Sequence, residues 1–222
     1  MKRATRSKLV EAAPAAGSSQ VRPRGRRMSK PDVVALKRQG ILEVASRLFH
    51  EKGYETATLD MVADELNVTK PYLYTYYKNK AEILASVCAV GVSESLDALD
   101  RAAAAPGNSV DQLRAALREV AAIIIDRMEY IVVYQREMKN LTNIDAQQIL
   151  RLRHEFDLRI ARLVEQCRAD GLVTLHDAAA MSVWMGGLLS WIPNCYWRGS
   201  RRKRDDVIEQ VSHACMRLIG LD

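Results

Sequence analysis

Residues 58–80 read TLDMVADELNVTKPYLYTYYKNK and constrain the fold more than any other stretch. The pattern is two short helices with a tight turn between them. Leu59, Val62, Ala63 and Leu66 recur at helical spacing and so share one buried face. Asn67 suits the residue after that helix, because its short side chain tolerates positive φ. Thr69 offers an N-cap oxygen to the next helix, and Pro71 falls in its first turn, where a missing N–H costs nothing. That second helix carries Tyr72, Tyr74, Tyr76 and Tyr77 within six residues, with Lys70 before them and Lys78 and Lys80 after. Packing needs Leu73 and Tyr77, with Tyr74 as a further candidate, so several large hydrogen-bonding side chains must point outward.

A helix that lies in a DNA groove needs such a surface. Hydroxyls and amines reach phosphate oxygens, aromatic faces meet thymine methyls, and the helix N-terminus adds partial positive charge. The same spacing also suits an ordinary helical hairpin with tyrosines half-buried at a domain seam. The residues alone leave both readings standing.

Phe49, Gly53, Tyr54 and Thr58 precede Ala63, Leu66, Val68, Lys70, Leu73, Tyr74, Tyr76, Tyr77 and Lys80. Residue types at these spacings resemble the N-terminal domain of TetR-family transcriptional repressors, over residues 33–87. One departure is Asn67, where many members have Gly; both suit the same turn. The resemblance implies that the helix Thr69–Tyr76 is the recognition helix. It carries base or phosphate contacts onto Thr69, Lys70, Pro71, Tyr72, Thr75 and Tyr76, and backbone anchors onto Thr58 and Lys80. Double-stranded DNA, as a palindromic operator, is the partner it implies.

The formal charge of +6 is unevenly spread. The first thirty residues hold nine of the 33 basic groups and one of the 27 acidic ones. The remaining body, with 24 basic against 26 acidic groups, is nearly neutral. A basic arm over 1–30 lacks hydrophobic periodicity and is expected to be disordered alone. Within it, Arg22-Pro-Arg-Gly-Arg-Arg27 is similar to the core of AT-hooks, although Arg27 stands in place of a second proline. Arg24 and Arg26, flanking a glycine, can enter a narrow A·T minor groove, or simply attract phosphates.

Further on, the chain reads as all-α, because strand-like alternation is nowhere sustained. The expected division is a helix-turn-helix domain over 31–87 and a second helical domain over 88–222. Ser29, Pro31 and Asp32 start a helix whose apolar face is Val34, Ile41, Val44, Ala45, Leu48 and Phe49, stopped by Gly53. Asn79 and Glu82 begin a helix running through Ile83, Leu84 and Val87 toward Leu99, a lever between the domains. After a break at 102–108, Leu113, Leu117, Val120, Ile124 and Met128 line one helix, and Tyr130, Val133, Tyr134, Met138 and Leu141 mark another beyond a bend. Ile149, Leu152, Phe156, Ile160, Leu163 and Cys167 form a long stripe ended by Gly171. Asp177 or Thr174 caps a helix with Met181, Val183, Trp184, Leu188 and Trp191. A last helix follows Asp205, with Ile208, Val211, Cys215 and Leu218 as its seam.

Cys88, Cys167, Cys195 and Cys215 lack paired spacing, so neither zinc knuckle nor disulfide framework is suggested. The apolar run 183–192 is too short to cross a bilayer, and the N-terminus has no secretory apolar run. A cytoplasmic protein without metal or cofactor is expected. His50, His154, His176 and His213 are scattered and glycine-rich phosphate loops are absent, which argues against an enzyme. A nucleoid-packing protein would use the basic arm but would not need a sequence-reading helix.

Gln135, Arg136 and Glu137 interrupt one C-terminal helix, and Arg151, Arg153, His154 and Arg159 share the next. Trp184, Trp191 and Trp197 cluster late in the chain with Tyr196 and Arg198. Such a mixture suits either a small-molecule cavity or a helix bundle with solvated charges and tryptophans in core or dimer seam. The TetR-family resemblance implies a ligand-binding, homodimeric domain joined through its last two helices. Residues 132–141, Trp191 and the segment 196–198 resemble the branch sensing acyl-CoA or steroid-CoA thioesters. That places Tyr134, Met138, Phe156, Trp184, Trp191 and Arg198 around the effector. A drug-responsive repressor of an efflux gene is the alternative.

Overall fold

The computed structural model describes residues 29–174, 177–196 and 201–221. Among them the regular elements are helices: α1 (Lys30–Lys52), α2 (Leu59–Glu65), α3 (Lys70–Tyr74), α4 (Lys80–Ala104) and α5 (Ser109–Asp126). There follow α6 (Met128–Glu137), α7 (Asn143–Ala169), α8 (Ala178–Ser190), α9 (Ile192–Cys195) and α10 (Arg204–Arg217). A 3-10 turn, Met138–Asn140, extends α6. Arg24, Arg26, Trp197 and Arg198 lie outside the described residues.

Local chemistry sets most helix ends. Ser29 and Asp32 form a reciprocal capping box on α1, and Gly53 closes it at φ 81°. The Ser29 hydrogen bonds hold the Asp32 carboxyl below its usual range. Asn79, Asn108, Thr142 and Asp177 each accept a backbone N–H in the first turn of α4, α5, α7 and α8. Thr69 sits at the expected start of α3, but its side chain makes no cap bond, which corrects the sequence reading.

Two apolar clusters fill the molecule. One gathers Ile41, Phe49, Val62, Leu73, Tyr77 and Leu84 from α1–α4 and also takes in Tyr130, Val133 and Ile149 from later helices. The other is built from α4, α5, α7, α8 and α10 around Leu99, Leu117, Ile160, Met185 and Cys215. Helix α4 contributes Ile83–Cys88 to the first and Val92–Ala102 to the second, so it is the beam that joins them. The α5–α6 corner is pinned to that beam, because Arg127 Nε donates to both carboxylate oxygens of Glu94 at 2.9 and 3.1 Å.

Three faces differ from those read in the sequence. Val34 is exposed, because the first turns of α1 project beyond the helices that cover Ile41. On α8 the buried residues are Ser182, Met185, Gly186 and Leu189, whereas Val183, Trp184, Leu188 and Trp191 point away from the core. Small residues turn inward there because the helix packs close to its neighbours. On α10 the inward set is Val207, Ile208, Ser212, Cys215, Met216 and Ile219, with Leu218 exposed. All four cysteines are free thiols, and burial pushes those of Cys88 and Cys215 up to about 12. Among the described residues no helix is long and apolar enough to cross a membrane.

Candidate functional site

The turn before α3 is fixed by backbone bonds. Asn67 takes φ 52°, the N–H of Val68 reaches the carbonyl of Ala63 at 2.9 Å, and that of Asn67 reaches Asp64 at 3.1 Å. This pair of bonds is a Schellman motif, which caps α2 and aims the next helix. Thr58 caps the other end of α2 by accepting from the Met61 N–H at 3.2 Å.

Helix α3 is only five residues long, but the N–H groups of Thr75, Tyr76 and Tyr77 continue its turn onto Tyr72 and Leu73 carbonyls. Leu73 and Tyr77 are buried and anchor it. Tyr74, a candidate for packing in the sequence, is exposed instead, since Leu73 and Tyr77 already fill the contact with the α1–α4 core. Thr69, Pro71, Tyr74 and Thr75 are exposed, and Lys70, Tyr72 and Tyr76 are half-buried. The rings of Tyr72 and Tyr76 lie 5.1 Å apart. A hydrogen bond with Tyr72 raises the Tyr76 phenol above its usual pKa. Lys70 Nζ pairs with Asp60 at 2.8 Å, and that bond raises its pKa, so the amine stays charged. Lys80 points back into the protein: its Nζ donates to the Glu55 carbonyl at 3.3 Å and lies 4.3 Å from the Tyr54 ring centre. Burial lowers its pKa.

Arg38 was missed from the sequence. Its guanidinium stacks 4.1 Å from the Tyr77 ring centre and donates to the Tyr76 carbonyl, holding the C-terminal end of α3 against α1. One signal was available: Arg38 shares a helical face with Ile41 and Ala45, which are core.

The α6 end docks onto this domain through polar groups. Arg136 Nη2 donates to the carbonyls of Phe49 and His50, the latter at 3.0 Å, where the α1 helix ends and its carbonyls favour a cation. Glu137 is 6% exposed, yet its carboxylate is well supplied with donors. Arg136 Nε reaches it at 3.1 Å, Asn140 Nδ2 at 2.8 Å and the Tyr54 N–H at 3.4 Å. The charges that interrupt α6 therefore tie its end to the end of α1 and to Tyr54.

One turn earlier, α6 forms the wall of a cavity. Gly91, Val92, Ser95, Ile124, Ile131, Tyr134, Gln135, Arg153, Phe156, Gly186, Leu189 and Ser190 line it. Its volume is about 40 Å³, space for no more than a few waters. Gln135 Nε2 donates to the Ser190 carbonyl at 2.8 Å and ties α6 to α8 across it. Of the residues expected around a ligand, Tyr134 and Phe156 line this cavity. Met138 packs against the N-terminal cluster instead. Trp184 and Trp191 are each 64% exposed on the outer face of α8 and lie outside it. Sequence periodicity could not separate the faces of a helix that is apolar nearly all round.

The chain matches the model of bacterial regulatory proteins of the tetR family over residues 41–87, and the tetracyclin repressor-like C-terminal domain over 106–219. The transcriptional regulator YfiR of Bacillus subtilis is 30% identical over 139 residues, 59% of this chain and 65% of that protein. The transcriptional activator FasR of Mycolicibacterium smegmatis is 26% identical over 144 residues, 64% of this chain and 62% of FasR. The chain thus aligns with just under two thirds of these relatives' length. In fold it is similar to AibR, solved with isovaleryl coenzyme A and operator DNA (TM-score 0.68, 22% identity, 80% of this chain and 97% of AibR). It is also similar to the ketosteroid transcriptional regulator KstR2 of Mycobacterium tuberculosis (TM-score 0.72, 16% identity, 84% and 96%). These families and relatives are transcriptional regulators, not enzymes. The two family models run from Ile41 to Ile219 and leave only residues 88–105 between them, the rest of the long helix α4 and its C-cap, so the protein belongs to the TetR family of bacterial regulatory proteins.

Proposed function

We propose that the protein is a dimeric repressor that binds a palindromic operator and is released by a small hydrophobic or CoA-thioester effector. The observation that carries this reading is a continuous connection. Gln135 and Tyr134 of α6 line the cavity, and the next two residues, Arg136 and Glu137, grip α1 and Tyr54. An effector that parts α6 from α8 shifts the latch, and with it the orientation of α3. The shift in operator affinity equals the difference in effector affinity between the two states.

In the operator complex, Pro71, Tyr72, Thr75 and Tyr76 face the groove, and Lys70 exchanges Asp60 for a phosphate. Thr58 and Thr69 flank the backbone, and Lys80 joins them by exchanging the Glu55 carbonyl for a phosphate. Arg24 and Arg26 reach the minor groove and steepen the salt dependence. Val183, Trp184, Leu188 and Trp191 of α8, with Leu218 beyond α10, form an apolar stripe, and a second copy covering it brings two recognition helices roughly 34 Å apart. Trp184 and Trp191 then serve the dimer and not the effector. Acyl-CoA is favoured as effector class over cationic drugs because the charged side chain lining the cavity is Arg153. AibR, solved with a CoA ester and operator, lends support through shared fold. FasR is named an activator, so contact with polymerase at some promoters is a second reading.

Selection of DNA from a random pool, followed by anisotropy titration with acyl-CoA esters of graded length, tests the proposal. Release of a selected palindrome by at least one ester is expected. Retention of the operator at saturating concentrations of every ester would remove the thioester part of it.

A further inference from the structure

The cavity lining is of two chemical kinds. Val92, Ile124, Ile131 and Leu189 supply hydrocarbon, and Arg153, 5.2 Å from the Phe156 ring centre, supplies the charge. Its Nε lies 3.5 Å from Asp157 Oδ1, an ion pair too long for a well-made hydrogen bond. Asp157 Oδ1 is buried and has no hydrogen-bond partner. Burial raises the pKa of that carboxyl, with Arg153 opposing the shift. The pair is thus loosely made, and the carboxylate oxygen that faces Arg153 is left without a hydrogen bond.

Three other polar side chains on the wall are already engaged. Ser95 Oγ donates to the Gly91 carbonyl at 2.7 Å, Gln135 to Ser190, and Ser190 Oγ to the Gly187 carbonyl at 2.9 Å. The guanidinium rests against α8 at Gly186, where a Cβ would fall 2.5 Å from Nη2. Gly186 and Gly187 also make this part of α8 the easiest to deform, since each glycine in a helix interior costs about 1 kcal/mol relative to alanine. A ligand amine would meet Arg153 unfavourably, and a pure hydrocarbon would leave the pair unimproved. An oxygen acceptor has a planar fork of donors waiting for it.

We propose that Arg153 is the oxygen-binding group of the effector site. A carboxylate or acyl carbonyl displaces Asp157 from it, while the attached hydrocarbon packs on the apolar lining and wedges α8 from α6. This rests on the reading that the cavity is the effector site, and it names the chemistry that the site selects.

The intact protein is titrated by calorimetry with hexanoate, hexanoyl-CoA, hexan-1-ol and hexylamine. Binding of hexanoate or its CoA ester, at least about tenfold tighter than the alcohol and with no binding of the amine, is expected. Hexanoate alone marks a free acid as the source of the oxygen, and the ester alone marks the thioester. Arg153→Met weakens the bound probe about tenfold or more. Gly186→Ala does the same with the charge retained, because its Cβ would fall 2.5 Å from Nη2 and displace the flexible end of Arg153. Asp157→Asn tightens it. Equal binding by wild type and both weakening variants, tighter binding of the amine, or binding of no probe overturns the assignment. Operator release by some unrelated compound would then leave the repressor reading standing, whereas an operator never bound would remove that reading by itself.

Discussion

The α2–α3 pair and the wall between α6 and α8 are held in opposite ways. The pair is locked by a Schellman turn, a capped N-terminus, two buried anchors and a guanidinium stacked on Tyr77. The wall includes one side-chain bond from Gln135 to Ser190, a 3.5 Å ion pair and two adjacent glycines. On the proposed function, a reading head must keep its shape whatever happens elsewhere, and a sensor must yield to a ligand. The difference teaches that rigidity and give are placed in separate regions, with the Arg136–Glu137 latch between them.

Changes to the rigid region should therefore cost most. Leu73→Ala empties a fully buried site under α3 and is expected to lower unfolding stability by about 2–5 kcal/mol, read from urea denaturation. A cost below 1 kcal/mol would show that the anchor is not tightly packed.

The outer face of α8 supplies the next contrast. Trp184→Ser with Trp191→Ser should convert dimer to monomer in sedimentation, each residue contributing roughly 30-fold in dissociation constant. The monomer itself should melt as before, because both rings are already mostly exposed. A lower melting point without dissociation would place these rings in the fold and not in an interface.

Asn67→Ala should cost about 1–2 kcal/mol, because a Cβ residue without a helpful amide is forced to φ 52°. Asn67→Gly should be close to neutral by the same measurement.

The smallest effect falls in the yielding region. Asp157 has a raised pKa in the folded state, so its contribution is favourable below the ordinary aspartate pKa and is lost as pH rises through the folded value. Asp157→Asn should accordingly be neutral or more stable by roughly 0.5 kcal/mol at pH 7, with the gain vanishing on acidification. A loss of stability at pH 7 would mean that the Arg153 pair is worth more than its 3.5 Å geometry implies.

How much was legible in the sequence follows the same division. Asn67, Pro71, the spaced tyrosines and the caps at Ser29, Asn79 and Asp177 act on neighbours a few residues away, and such signals survive in one dimension. Helix α8 is different, because Val183, Trp184, Met185 and Leu188 make it apolar on nearly all sides. Only three-dimensional packing, with Ser182 and Gly186 turned inward, chose the face. Arg136 and Glu137 could be read only as cavity groups or solvated charges, since their partners Phe49, His50 and Tyr54 lie more than eighty residues away. Arg153 was visible among several arginines of α7, but nothing local marked it as the one beside Gly186.

The central claim is that α3 turns its outward side chains to DNA while Leu73 and Tyr77 hold it to the protein. Anisotropy titrations of wild type, Tyr72→Ala and Lys70→Ala on one selected operator, across a range of salt, test it most directly. Tyr72→Ala should lose at least about tenfold of the preference for that operator over random DNA, with an unchanged thermal melt. Lys70→Ala should weaken binding to all sequences and reduce the salt slope by about one. Unaltered affinity, preference and slope in both variants would contradict the account.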